Sequence, residues 1–176
     1  PWVKRGIGEI GHDKPFYYYF FLLLRYELPL VVLGGIGLWF ASRNKDEFWR
    51  SCGLWFILVF FIYSMIPYKT PWLIINISMP LVLLAGFGVE KILQRHKSVG
   101  VILLVIGCLL LLYFSYQVNF VQTWQSSNKY AYVHTYDDIL KLVDRINGID
   151  GKILVVFHGN EYWPLPFYFH GREVAY

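Results

Sequence analysis

The side chains best suited to chemistry are cations that stand beside aromatic residues at the ends of long apolar runs. Lys69 lies in the sequence YKTPW, between an apolar run that ends at Pro67 and another that begins at Trp72. Proline breaks a helix and tryptophan favours a membrane interface. A cation in so short a connection is placed to meet an anionic lipid head group or a phosphorylated substrate. The alternative is a loop lysine that only extends its ammonium group towards water.

A second polar set precedes the aromatic run at residues 16–21. In the sequence GHDKP, His12 and Lys14 are suited to a phosphate group, and Asp13 is suited to orienting His12. The alternative is a polar interfacial cap before a membrane helix.

Arg25 and Glu27 stand inside the first apolar run, where ionisable groups are costly and usually line a cavity or form a pair. A spacing of two places them on different faces of a helix, so they do not simply neutralise each other. One of the two residues is suited to pointing into a polar cavity, and an interhelical ion pair of purely structural role is an alternative of at least equal weight. The histidines His134, His158 and His170 fit no metal-ligand spacing, so no metal site is predicted. No cofactor is indicated.

Composition indicates a membrane protein, because 56% of the residues are apolar and 16% are charged, against about 25% charged in soluble domains. Four apolar runs, residues 16–41, 48–66, 72–93 and 99–116, are long enough to cross a bilayer as helices. The first contains Pro29 and is expected to bend. The predicted fold is a polytopic α-helical membrane protein of about four transmembrane helices, followed by the start of an extracytoplasmic α/β segment.

The distribution of basic residues predicts an orientation in the cell membrane. Two of the connections are basic and are expected in the cytoplasm by the positive-inside rule; their cations are Arg43, Lys45, Arg50, Lys91, Arg95 and Lys97. Residues 1–15, the Lys69 connection and residues 119–176 then lie outside, around a membrane region at 16–118. Net charge is +4 without a dense basic stretch, so nucleic acid is not an expected partner.

Residues 119–176 have a different pattern. Apolar residues at helical spacing follow Asp138, and the helix is expected to end at Asn147 and Gly148. Buried-strand patterns follow at residues 152–157 and 173–176. So short an α/β segment buries little surface, so we expect it to be incomplete and the chain to be a fragment.

Four blocks of the sequence resemble a family of flippase-activity-associated membrane proteins, which is similar to protein mannosyltransferases and to the lipid A aminoarabinose transferase. The most specific block is YSMIPYKTPW at residues 63–72, which continues through Asn76 and Pro80 to Gly86. The others are GHDKPFYYY at 11–19 with YELP at 26–29, YAYVHT at 130–135, and YWPLPFY at 162–168. The resemblance extends along the whole chain, in order.

The resemblance implies a class C glycosyltransferase fold that transfers sugar from a polyprenyl-phosphate donor at the outer face of the membrane. The acidic base of such enzymes lies in an earlier outer loop, so no catalytic residue is assigned here and Asp13 is not put in its place. The resemblance implies donor-side machinery: cations that stabilise the leaving phosphate, and aromatic residues that line the prenyl groove or stack on sugar. The cations, in order of preference, are Lys69, His12, Lys14 and Arg25, and the aromatic residues are Tyr17, Tyr18 and Trp72.

A different class of function stays open at this point. The alternative to the leading transferase hypothesis is a non-catalytic scaffold subunit that packs with other membrane subunits in a larger complex. Half of a transporter is a third possibility, but it requires inverted repeats, and the sequence contains no internal repeat.

Overall fold

The computed structural model describes residues 13–123, 125–131, 138–149, 151–156, 165–171 and 173–175. They fall into two compact units, one up to Thr123 and one after it. The first unit consists of helices, and the second combines helices with two short strands. His12, His134 and His158 lie outside the described residues.

The chain enters the first unit through two short helices that meet at a sharp angle. Helix α1 (Tyr18–Tyr26) and helix α2 (Leu28–Ser42) are bent by 108° relative to each other. Pro29 explains the break, because its ring would collide with the carbonyl group of Arg25 if one helix continued. Within the first turn of α2 the missing N–H of Pro29 has no cost. The expected bend at Pro29 is therefore confirmed, as a break at Glu27.

Three long helices follow. Helix α3 spans Glu47–Met65, helix α4 spans Ile74–Arg95 after a 3-10 turn at Pro71–Leu73, and helix α5 spans Lys97–Tyr116 before a π-helical turn at Gln117–Val121. All three are long and apolar enough to cross a membrane, and the number is four if α1 and α2 together count as one span. This agrees with the predicted multi-pass membrane protein.

Helix α4 lies at the centre of the first unit. Half of its most apolar stretch is buried, against 17% for α3 and 11% for α5. The outer faces of α3 and α5 expose large apolar side chains such as Leu58 (50%) and Leu112 (66%). Such surfaces are unfavourable in water but suit contact with lipid tails.

Helices α2 and α4 approach each other backbone to backbone. A Cβ atom on Gly37 would lie 1.7 Å from the carbonyl oxygen of Leu84, and one on Gly88 would lie 2.5 Å from that of Leu33. Small residues permit this approach in membranes, where helices associate through van der Waals packing because lipid is as apolar as their side chains. Only glycine fits at these two positions without a shift of the helices.

The alternation of the long helices defines two ends of the first unit. We call the end that holds the α3–α4 connection and the end of α5 the Lys69 end. The opposite end, with the α2–α3 and α4–α5 connections, is the Arg43 end. Leu93 lies within contact distance of a Cβ built on Gly100, so α4 and α5 turn back on each other across this end.

The second unit contains helix α6 (Asp138–Asn147), helix α7 (Leu165–Tyr168) and two parallel strands, β1 (Ile153–Leu154) and β2 (Val174–Ala175). Its core consists of Val143, Leu165 and Phe169. The helix ends at Asn147, where the sequence predicts, and the strands are shorter than the apolar patterns suggest. An extracytoplasmic location of this unit stays a prediction.

We predict that Gly37→Ala and Gly88→Ala destabilise the protein, because a methyl group at either position forces two backbones apart. Overpacking of this kind costs about 1–3 kcal/mol. The matched controls are Gly35→Ala and Gly86→Ala, whose added Cβ atoms meet nothing within 4 Å. The controls are expected to retain or gain stability, since alanine favours a helix by about 1 kcal/mol over glycine. Unfolding in detergent, followed by circular dichroism, gives the free energy of unfolding of each variant. If the two controls lose as much free energy of unfolding as Gly37→Ala and Gly88→Ala, the close contact of the two backbones is contradicted.

Candidate functional site

The segment before α1 crosses the α3–α4 connection at the Lys69 end. Asp13 and Tyr68 form an isolated antiparallel bridge, and the backbone N–H of Lys14 donates to the carbonyl oxygen of Pro67 at 3.1 Å. These backbone bonds hold Asp13 and Lys14 beside the connection that contains Lys69.

Lys69 turns inward rather than towards the lipid boundary. Lys69 is only 2% exposed, and its Nζ donates to the carbonyl oxygen of Lys14 at 3.2 Å and to that of Ile66. Ile66 caps the C-terminus of α3, where carbonyl groups lack helical partners, so the ammonium group satisfies acceptors that would otherwise be unpaired. The open, phosphate-facing cation suggested by the sequence is therefore not the arrangement found here. A role for Lys69 in substrate binding stays a prediction.

Burial lowers the pKa of the Lys69 ammonium group, and the negative charge of Asp13 partly opposes this effect. A neutral amine still has two N–H donors, which is the number that the two carbonyl oxygens accept. The contacts of Lys69 therefore do not require its charge. This fits a side chain that holds the connection in place.

Polar side chains surround this connection inside the bundle. The Tyr19 hydroxyl donates to the carbonyl oxygen of Thr70 at 3.1 Å, and Asn76 Nδ2 donates to the Tyr63 hydroxyl at 3.1 Å. The hydroxyl groups of Ser64 and Thr70 are buried, each in a residue 1% exposed, and have no partner among the described residues. Buried hydroxyl groups normally have a partner, so this cluster has hydrogen-bonding capacity to spare.

Arg25 lies in a separate cavity at the same end. The cavity measures about 250 Å³ and is lined by Arg25, Tyr26, Tyr113, Phe114, Gln117, Val118 and Gln122. Arg25 Nε donates to the Tyr26 hydroxyl at 3.1 Å, and its guanidinium carbon lies 5.5 Å from the centre of that ring. No carboxylate of the described residues lies within 4.0 Å of a basic group of Arg25. Arg25 is exposed and lines this cavity, and it forms no ion pair among these residues.

The other predicted binding residues also lie at the Lys69 end, apart from His12, which lies outside the described residues. Lys14 is exposed, and its side chain makes no hydrogen bond or ion pair to another described residue. Tyr18 is half-buried, with its ring edge-on to that of Tyr19 at 5.2 Å. Trp72 is 55% exposed. Contact of any of these residues with a ligand stays a prediction.

Several polar residues of this region escape sequence reasoning. Ser64 and Asn76 carry a usable signal, because each is a polar residue within an apolar run. Gln117 and Gln122 give no such signal in the sequence, because they follow the end of an apolar run, where polar residues are common. Only the fold of α1 against the end of α5 brings them beside Arg25.

The described part of the chain contains no group of three or more histidine, cysteine, aspartate or glutamate residues that could hold a metal ion. Cys52 and Cys108 are both free thiols. His170, the one member of the predicted histidine set that is described, lies exposed after α7.

No protein-family model, curated protein or solved structure matches this chain. The resemblance to flippase-associated proteins therefore rests on the sequence blocks quoted above.

We predict that Lys69→Met lowers stability, because the carbonyl oxygens of Lys14 and Ile66 lose their donor at a cost of about 1–3 kcal/mol. The difference in free energy of unfolding between the wild type and Lys69→Met is expected to grow as pH rises towards 10. Since burial lowers the pKa of Lys69 in the folded protein, the unfolded chain binds more protons between that lowered pKa and the ordinary value of about 10.4. The free energy of unfolding of the wild type therefore rises with pH in this window.

The measurement is the free energy of unfolding of the wild type and of Lys69→Met, from neutral pH upwards. Lys14→Met is the matched control, because Lys14 is exposed to solvent in the folded protein, unlike the buried Lys69. The control is expected to follow the pH dependence of the wild type. A Lys69→Met protein with the wild-type slope would show that Lys69 is not desolvated.

Proposed function

We propose that this chain is the donor-binding membrane part of a glycosyltransferase-like protein that uses a polyprenyl-phosphate-linked sugar at the outer face of the membrane. The observation that carries the proposal is Arg25, an exposed cation that lines an open cavity beside the end of α5 and has no carboxylate partner among the described residues. A cation in such a place favours binding of an anion.

The lining of the cavity supports a phosphate group as that anion. The planar guanidinium group of Arg25 can bind two phosphate oxygens at once, and the amide groups of Gln117 and Gln122 add further hydrogen-bonding capacity. A cavity of about 250 Å³ is smaller than the roughly 300–1,000 Å³ of typical ligand pockets. It suits a head group, and the prenyl tail must lie elsewhere.

Aromatic residues of α1 supply a surface for that tail. Phe20 and Phe21 are 46% and 59% exposed on the same helix that carries Arg25, and Tyr17 precedes them at 54%. Tyr18 and Trp72, at the same end, are the further aromatic candidates for contact with the prenyl chain or the sugar. An apolar tail beside a cationic cavity matches the chemistry of a lipid phosphate.

The proposed roles of the lysines differ. Lys14 is exposed and is proposed to contact the phosphate or pyrophosphate group directly. Lys69 binds the carbonyl oxygen of Lys14, so it is proposed to position the segment that carries Lys14 and the neighbouring His12. His12 remains a candidate for the same head group.

The proposed chemistry is inversion at the anomeric carbon. The acceptor oxygen forms a bond to that carbon while the bond to the phosphate oxygen breaks, and the phosphate leaves with the electron pair. Arg25 and Lys14 would stabilise the negative charge that develops on the leaving group. The proton of the acceptor would pass to an acidic residue, which is not assigned to any residue of this chain.

The scaffold function is retained as a second candidate because of the second unit. Its side chains Leu154, Val156 and Phe167 are 72%, 82% and 74% exposed, which is unusual for a parallel sheet and its neighbours. A protein partner would cover them. The scaffold function requires no binding of lipid phosphate, which separates the two candidates.

We predict that Arg25→Gln weakens binding of polyprenyl phosphate to the protein in lipid nanodiscs by roughly tenfold or more, since a charge-assisted hydrogen bond contributes about 1.5–3 kcal/mol. Arg95→Gln is the matched control, because Arg95 is an exposed cation at the Arg43 end. The control is expected to bind as the wild type does. Unchanged binding in Arg25→Gln, or no binding by the wild type, would refute the donor site, and the second result would favour the scaffold.

The orientation is tested by cysteine labelling in a background in which Cys52 and Cys108 are replaced by alanine. Ser126→Cys is expected to react with a membrane-impermeant reagent in intact cells, because residues after 118 are predicted outside. Ser98→Cys, at the Arg43 end, is the control and is expected to react only after the cells are opened. The reverse pattern would place the Lys69 end in the cytoplasm and exclude an outer donor site.

A further inference from the structure

An apolar groove lies on the outer surface of the first unit, away from the Arg25 cavity. It measures about 600 Å³ and is lined by Val32, Gly35, Ile36, Trp39, Phe40 and Ile92. All six residues are apolar. Gly35 forms an open part of this surface, since a Cβ atom built on it meets nothing within 4 Å.

The groove follows α2 towards the Arg43 end. Its α2 residues recur at helical spacing, so they form one stripe along the helix. From Val32 to Arg43, at the C-terminal cap of α2, the helix rises about 16 Å at 1.5 Å per residue. The residues that line the groove, from Val32 to Phe40, cover about 12 Å of this rise and lead towards the Arg43 end.

A cation stands where the groove reaches the Arg43 end. The guanidinium carbon of Arg43 lies 4.2 Å from the centre of the Trp39 ring, which lines the groove. Arg43 is exposed, and no carboxylate of the described residues lies within 4.0 Å of its basic nitrogen atoms. The nearby Asp46 instead accepts a hydrogen bond from the backbone N–H of Phe48.

We propose that this groove binds one acyl chain of an anionic phospholipid and that Arg43 binds its phosphate group. An acyl chain fits an apolar stripe with a cation at its end. The exposed Arg43 beside Trp39 favours a lipid with an anionic head group over an apolar transmembrane helix of another copy, because such a helix offers the guanidinium group no anion. The proposal does not rest on the donor site, which lies at the opposite end.

The charge of the Arg43 end supports an anionic lipid rather than a neutral one. Cations outnumber acids there, and each basic residue near a membrane surface attracts anionic lipid. The cations are Arg43, Lys45, Arg50, Lys91, Arg95 and Lys97, and the acids are Asp46, Glu47 and Glu90.

The test measures phospholipid that stays bound to the purified protein in native mass spectrometry, after equilibration with phosphatidylglycerol. The wild type is expected to retain one phosphatidylglycerol molecule per chain. Gly35→Leu is expected to lose it, because the new side chain occupies the groove. Gly86→Leu is the matched control, since a Cβ atom on Gly86 also meets nothing within 4 Å but Gly86 does not line the groove.

A second arm tests the head group through a surface residue, so it does not depend on the folding of Gly35→Leu. Arg43→Gln is expected to reduce the preference for phosphatidylglycerol over phosphatidylcholine by about fivefold, the effect of one cation near the membrane surface. Lys45→Gln removes an exposed cation from the same connection and is expected to have a smaller effect.

Retention of phosphatidylglycerol by a folded Gly35→Leu protein would overturn the proposal. Equal effects of Arg43→Gln and Lys45→Gln would also overturn it, because the basic end would then attract lipid without a defined site. A wild-type dimer that Gly35→Leu abolishes, with lipid binding unchanged, would assign the groove to a second copy of the chain.

Discussion

The contact between α2 and α4 determines how the rest of the first unit is arranged. Glycine at positions 37 and 88 lets the two backbones touch, so α4 becomes the central helix of the bundle. The other long helices then keep large apolar surfaces for lipid. In a bilayer this close packing supplies attraction that burial of leucine side chains cannot supply, since lipid is equally apolar. The groove at the Arg43 end depends on the position of α2 that this contact sets, because α2 supplies most of its lining.

The two ends of the bundle differ in chemistry. At the Lys69 end, Lys69 is buried and binds backbone carbonyl groups, whereas Arg25 is exposed and lines a small open cavity with amide groups. At the Arg43 end, the cations lie on the surface, and Arg43 stacks on Trp39 beside an apolar groove. The first arrangement suits selection of a particular head group, and the second suits a membrane lipid.

The candidate site could be predicted from the sequence only in part. Arg25 could be recognised because a cation inside an apolar run is costly, and in the structure it lines a cavity. Lys69 could be recognised because it stands in a very short connection between two apolar runs, but the direction of its side chain could not be predicted. Its acceptors are the carbonyl groups of Ile66, three residues away, and of Lys14, fifty-five residues away. The second of these contacts exists only once the chain has folded.

The sequence by itself determined the membrane class, the extent of the long helices and the break at Pro29, because these depend on the length of apolar runs and on the missing N–H of proline. Tertiary structure alone decided which faces meet, which glycines are close packed, and whether each cation is enclosed or open to a cavity. The physical reason is that a local pattern fixes the backbone of a single helix, whereas the surroundings of a side chain come from segments distant in the chain.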